Sequence, residues 1–180
     1  QARFLTDAFR PMEAAAPARR SLEIRVKAYP RVHKEVAESL ALVGAVALGL
    51  GDLSQAERYV REAMEIHLQL DGAMSAPLVS LLNVLADVAE WRGLYDDALK
   101  GRERALEMLH ALGIEEGPLA GHTLSDLGNL RLKRGDFAEA EILLRRGMEI
   151  CRRSQGPGRY LLSRFEHLLG SVLAAVGKDL

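Results

Sequence analysis

The residues able to carry covalent or metal chemistry are few and dispersed. There are five histidines, His33, His67, His110, His122 and His167, and one cysteine, Cys151. A helical zinc site needs two ligands on one face, as in His-x-x-x-His, and no two of these histidines have that spacing. A single thiol can form neither an internal disulfide nor a Cys-x-x-Cys site. Cys151 reads as a half-buried thiol compatible with a reducing, cytoplasmic setting. Gly49-Leu50-Gly51 and Gly156-Pro157-Gly158 begin glycine patterns, but neither follows a strand, so both read as helix termini. Gly177-Lys178 lacks a correctly placed upstream glycine, and Asp179 stands where a phosphate loop needs Ser or Thr. No nucleophile, base and orienting group form a recognisable set. The expectation is a protein that is not an enzyme, without metal or cofactor, whose polar residues bind another molecule.

Composition narrows the class of that molecule. Apolar residues make up 48% and charged residues 27%, ordinary for a folded domain. The net charge of −1 gives no electrostatic case for nucleic acid or membrane. Residues 1–116 carry net −4 and residues 117–180 net +3, a mild asymmetry that reads first as a solvated face and second as a docking patch for an acidic ligand. The longest apolar run, Leu40 to Leu50, has 11 residues, about half of what a membrane span requires. The sequence opens on Gln1 rather than methionine, which fits a processed or excised piece of something longer.

The elements that position these residues are set by a period. Gly51, Gly93, Gly135 and Gly177 stand 42 residues apart. Seven residues before each glycine sits a small residue: Gly44, Ala86, Gly128, Gly170. Five after it sits Ala56, Ala98 or Ala140, and thirteen to fifteen after come Met64-Glu65-Ile66, Leu106-Glu107-Met108 and Met148-Glu149-Ile150. Leu22-Glu23-Ile24 repeats the triplet one period earlier. A fixed period of this length means stacked structural units rather than one central core.

Each unit holds two stretches with 3.6-residue apolar spacing. The spacing predicts helices at 18–28, 34–49, 54–70, 78–91, 95–111, 120–134, 137–153 and 160–176. Each marker glycine should sit just past a first helix in the left-handed conformation, with Asp52 and Ser54, Asp96 and Asp136 placed to cap the second. The small columns should let helices approach closely, with Leu53, Tyr95 and Phe137 filling the turns. Residues 1–17 read as a short helix (Phe4 to Phe9) followed by the linker Ala14-Ala15-Ala16-Pro17. Residues 18–180 read as the repeat domain, with partial repeat 18–36, repeats of about 37–78, 79–120 and 121–162, and partial repeat 163–180.

These columns resemble the tetratricopeptide repeat, in the 42-residue form of kinesin light chains and of many bacterial multidomain proteins. The resemblance covers residues 18–180. It implies an all-α fold, a right-handed superhelical solenoid of antiparallel helix pairs. Arg3-Phe4-Leu5-Thr6-Asp7-Ala8-Phe9 is similar to the segment joining bacterial serine/threonine kinase domains to such repeats, although the catalytic kinase motifs are absent from the chain.

The resemblance further implies that first helices line a concave groove that binds a protein or peptide. Its groove columns place Asn83, Asp87 and Trp91 in the second repeat, His122, Ser125, Asn129 and Lys133 in the third, and Arg164 and His167 in the fourth. An asparagine at the Asn129 column contacts the ligand backbone in peptide-binding members. The lysine of a terminal-carboxylate clamp is replaced here by Ser125. Trp91, the only tryptophan, reads either as a groove anchor or as a ring packed on Tyr95. The expected function is a protein–protein interaction scaffold. The alternative is a regulatory, sensing or oligomerisation domain of a larger bacterial signalling protein, such as a kinase or transcriptional regulator. Leu168, Leu169, Val172, Leu173 and Val176 lack a covering helix in the sequence, so the expectation is either self-association through the C-terminal helix or a parent protein that continues the solenoid.

Overall fold

The computed structural model describes residues 11–153 and 161–177. The Phe4–Phe9 helix, the kinase-linker resemblance and the Gly156-Pro157-Gly158 connection lie outside the described residues. Among the described residues there are eight helices and no strand. They are α1 (Pro11–Ala28), α2 (Lys34–Gly49), α3 (Leu53–Asp71), α4 (Ala76–Trp91), α5 (Tyr95–Ala111), α6 (Pro118–Arg134), α7 (Phe137–Arg153) and α8 (Leu162–Val176). The chain divides into two compact units, Gln1–Ala98 and Leu99–Leu180, with the division inside α5. In the first unit α1 packs on α2, α2 on α3 and α3 on α4; in the second, α6 packs on α7 and α7 on α8.

The turns within pairs follow one pattern. At the end of α2 the Asp52 amide donates to the Ala47 carbonyl at 2.9 Å and the Gly51 amide to Leu48 at 2.9 Å. This double closure needs a left-handed residue at Gly51, whose φ is +79°, a region that costs any residue with a Cβ. The same bonds recur from Leu94 to Ala89 and from Asp136 to Arg131, around Gly93 and Gly135. Gly177 departs from the expectation: its φ of −73° is right-handed, and α8 ends without this turn.

Helix starts are more varied than the sequence suggests. Asp52 caps α3 by accepting the Gln55 amide at 3.0 Å. Asp96 lies inside the first turn of α5, where its charge favours the helix dipole, and the Leu94 carbonyl accepts the first amide instead. The Asp136 carboxylate is engaged by Arg131 at 3.3 Å. His33 caps α2 through Nδ1, 3.2 Å from the Glu35 amide, and stacks on Tyr29 with ring centres 4.2 Å apart.

The Ala14–Pro17 stretch is helical, not a linker. Alanine is the strongest helix former, and Pro17 removes only one backbone bond near the start of α1. Ala14 and Ala18 are fully buried against Val43 and Val46 of α2, and this packing offsets the proline penalty.

The small columns act as expected at three positions. A Cβ on Gly44 would lie 2.7 Å from Val60 Cγ2, and one on Gly128 would lie 2.7 Å from Leu144. Ala86 is buried in the same column. At Gly170 nothing lies within 4 Å, so that glycine admits no close neighbour. Ala56, Ala98 and Ala140 are all fully buried. Gly147 is the tightest site, since a Cβ there would lie 2.5 Å from Phe165 of α8 and 3.1 Å from Leu124 of α6. Tyr95 does not fill its turn as expected but stands 52% exposed. The C-terminal helix is better covered than the sequence implies. Leu168, Leu169 and Val172 are buried in a cluster with Leu144, Met148 and Phe165, leaving Leu173 and Val176 outside.

Gly147→Val should lower stability by about 1–3 kcal/mol through overpacking of the Phe165 socket. Gly170→Ala, in open space on α8, should raise it by about 0.5–1 kcal/mol through reduced backbone entropy. Urea denaturation of both variants checks the contrast; equal effects at the two glycines would contradict the packing described.

Candidate binding surfaces

In the first unit the expected groove residues separate. Asn83 is buried, Asp87 half-buried, and Trp91 is 60% exposed at the end of α4. Trp91 is therefore not a core ring. Leu94 and Tyr95, which follow in sequence, are similarly exposed. Arg92, next to Trp91, is held by Glu57 of α3 at 2.6 Å. Hydrogen bonds from Arg61 and Arg92 hold the Glu57 carboxyl below its ordinary range.

In the second unit the expected residues gather around one that the sequence reading passed over. Asp126 of α6 is buried, with its carboxylate 2.9 Å from Arg102 of α5 and 2.9 Å from His122 Nδ1. Arg164 of α8 binds its other oxygen. The Arg102 side chain is 1% exposed, whereas those of His122 and Arg164 are 39% and 40% exposed. Burial pushes the Asp126 carboxyl up. The hydrogen bond and charge of His122, with the charges of Arg102 and Arg164, outweigh burial and hold it well below the usual carboxylate range.

The period contains the signal that would have found this group. The Asp126 column elsewhere holds Leu42, Val84 and Leu168, and the Arg102 column holds Ala18, Val60 and Leu144. Two apolar columns become charged in the same unit, with opposite signs. Neither change is tolerable alone in a buried position, so the pair is a linked replacement.

The remaining expected residues divide by exposure. Ser125 is completely buried and its hydroxyl has no hydrogen-bond partner among the described residues, so it does not line an open surface as expected. It shares its column with Asn83, also buried; His167, in that column on α8, is exposed. Asn129 is half-buried and Lys133 exposed. Beyond them Arg131 binds Glu103 at 2.6 Å and Glu139 at 3.3 Å, on the wall of an open cleft of about 810 Å³ that Phe137 and Val176 also line. Cys151 is fully buried rather than half-buried, and burial pushes its thiol up. Among the described residues no group of His, Cys, Asp and Glu could hold a metal ion, and no helix is long and apolar enough to cross a membrane.

Consecutive antiparallel helix pairs, closed by the same glycine turn and packed through small residues, define a helical-repeat protein. Residues 78–153 match the tetratricopeptide repeat family. The chain has the fold of tetratricopeptide-type repeat proteins. Its fold is similar to the crystal structure of BtubC (BKLC) from P. vanneervenii, with a TM-score of 0.78 and 19% identity over 98% of this chain and 70% of that one. It is also similar to a kinesin-light-chain-type protein of Podosopora anserina with nearly identical TPR-like repeats, with a TM-score of 0.71 and 18% identity over 98% of this chain and 84% of that one. A comparison with curated proteins finds no match. The fold is typically a non-catalytic scaffold.

Asp126→Ala leaves Arg102 buried without its counter-charge and should cost about 3–5 kcal/mol. The double variant Arg102→Leu/Asp126→Leu restores the aliphatic columns and should recover most of that loss. The folded Asp126 carboxyl titrates below its ordinary value of 3.8. Its stabilisation is therefore complete above about pH 4 and is lost as pH falls through the folded value. Unfolding midpoints measured from neutral to acid pH should fall less steeply in the double variant than in the parent; parallel curves would contradict the assignment.

Proposed function

We propose that the chain is a protein–protein interaction scaffold whose second unit holds an acidic segment of a partner along α6 and α8. Repeats of this kind generally serve as interaction scaffolds. The observation that carries the finer reading is the shared anchor beneath His122 and Arg164. Both side chains are half-exposed and both are fixed from below by the buried Asp126. A guanidinium has five donors, and Asp126 uses only part of them. A side chain already held in place loses little rotamer entropy on binding, so its remaining donors are preorganised for a carboxylate. Exposed Lys133 and His167 lie on the same two helices, and Asn129 between them supplies an amide for a ligand backbone. In the first unit, Asp87 and exposed Trp91 offer a different chemistry on α4.

Fluorophore-labelled oligoglutamate and oligolysine peptides test the charge preference. Fluorescence anisotropy should show oligoglutamate binding that weakens with added salt, and little binding of oligolysine. Arg164→Ala should weaken oligoglutamate binding about tenfold, roughly 1.4 kcal/mol. Arg102→Leu/Asp126→Leu, folded but without the anchor, should weaken it as well. Equal binding of the two peptides, or an unchanged affinity in Arg164→Ala, overturns the reading.

A further inference from the structure

We infer, resting on the acidic-segment reading above, that protonation of His122 regulates that site, so that a carboxylate-bearing ligand is held more tightly with the ring charged than with it neutral. His122 and Arg164 occupy one column of the period, which holds Glu38, Ser80, His122 and Arg164 in successive first helices. In the second unit that column is titratable on α6 and cationic on α8, and both side chains meet on the Asp126 carboxylate. The ring Nδ1 lies 2.9 Å from that carboxylate. Asp126 is held well below the usual carboxylate range, so it stays an unprotonated acceptor wherever an imidazole titrates. A bare carboxylate accepts and cannot donate, so Nδ1 carries its hydrogen whether the ring is neutral or charged. The proton that charges the ring therefore enters at Nε2. The contact with Asp126 persists, and the cluster changes its charge without changing its anchor.

Two guanidiniums against one carboxylate leave one net positive charge when the ring is neutral and two when it is charged. The added charge falls on a half-exposed side chain, beside the surface offered to the ligand. The groups around the ring keep their own charge over the same range. Arg102 of α5 and Arg164 of α8 stay protonated. From α7, Cys151 Sγ would lie 2.7 Å from a Cβ on Gly121, next to His122, and burial pushes that thiol up, so it stays neutral. Glu115 and Glu116, ahead of α6, are engaged by His110 at 3.0 Å and by Arg153 at 2.9 Å. His110 and His167 are the other titratable rings of the second unit, and both are exposed. By linkage, a bound carboxylate favours the charged ring by the same factor that the charged ring favours the carboxylate.

Fluorescence anisotropy of labelled oligoglutamate, which stays ionised throughout, should show binding about three- to tenfold tighter at about pH 6 than at about pH 8. His122→Gln keeps an amide donor for Asp126 but cannot gain a charge, so it should bind at both values as the parent does at the higher one. His122→Arg is charged throughout and should bind at both as the parent does at the lower one. The two variants move in opposite directions, so loss of fold in one, checked by circular dichroism, cannot imitate the pattern. Calorimetry in two buffers of different ionisation enthalpy should show proton uptake on binding by the parent near neutral pH, and much less by His122→Gln. Oligoglutamate bound no better than oligolysine at the lower pH overturns the acidic-segment reading and the regulation with it. A preference for oligoglutamate with equal affinity at both pH values, or a pH dependence that survives in His122→Gln, overturns the regulation alone.

Discussion

The structure depends on how closely the paired helices approach. At the crossings of α2 with α3 and of α6 with α7, one helix offers a glycine and the other an alanine, so the aliphatic side chain of one rests on the backbone of the other. Dispersion falls off so steeply with distance that an added methyl group at such a crossing would open the interface along its length. That requirement explains why the small columns recur with the period. It also explains why Gly147 can serve as a socket for Phe165, linking the α6–α7 pair to α8.

Against this apolar rule the Arg102–Asp126 pair is an expensive exception. Two charges removed from water cost several kcal/mol each, and their attraction returns that only with good geometry. Here the geometry includes two further partners, and these are the ones that reach the surface. His122 and Arg164 come from successive first helices, α6 and α8, and share one carboxylate. The pair thus links the internal order of the second unit to the side chains it presents outside.

Much of the fold was legible because the period made each column a repeated measurement. The end of every first helix could be placed from Gly51, Gly93 and Gly135, where backbone chemistry leaves few alternatives. The Ala14–Pro17 stretch was misread because proline and a run of small residues look like a linker, and the burial that holds them helical comes from Val43 and Val46, far along the sequence. The candidate binding surface was less legible. Groove columns taken by resemblance include Asn83 and Ser125, which are buried, because exposure depends on what packs above a column. Asp126 was missed although the sequence contained its signal, since attention to recurring residues hides the informative break in recurrence.

The turns also limit how such a chain can change in length. Within a pair only two or three residues separate the helices, Leu50–Asp52, Arg92–Leu94 and Gly135–Asp136, and their amides and carbonyls are bonded back into the helix they follow. There is no slack to lengthen. An extra residue there would rotate the second helix by about 100° and turn its alanine column away from its partner. Of the connections between pairs, Gly72–Ser75 lies outside that closure, and Leu112–Gly117 opens with it, Gly113 bonding to His110 and Ile114 to Leu109, before Glu115–Gly117 leave it. Insertions are admissible at those joints, or as whole helix pairs. The hydrogen bonding around three glycines thus sets the grain size in which this architecture can be edited.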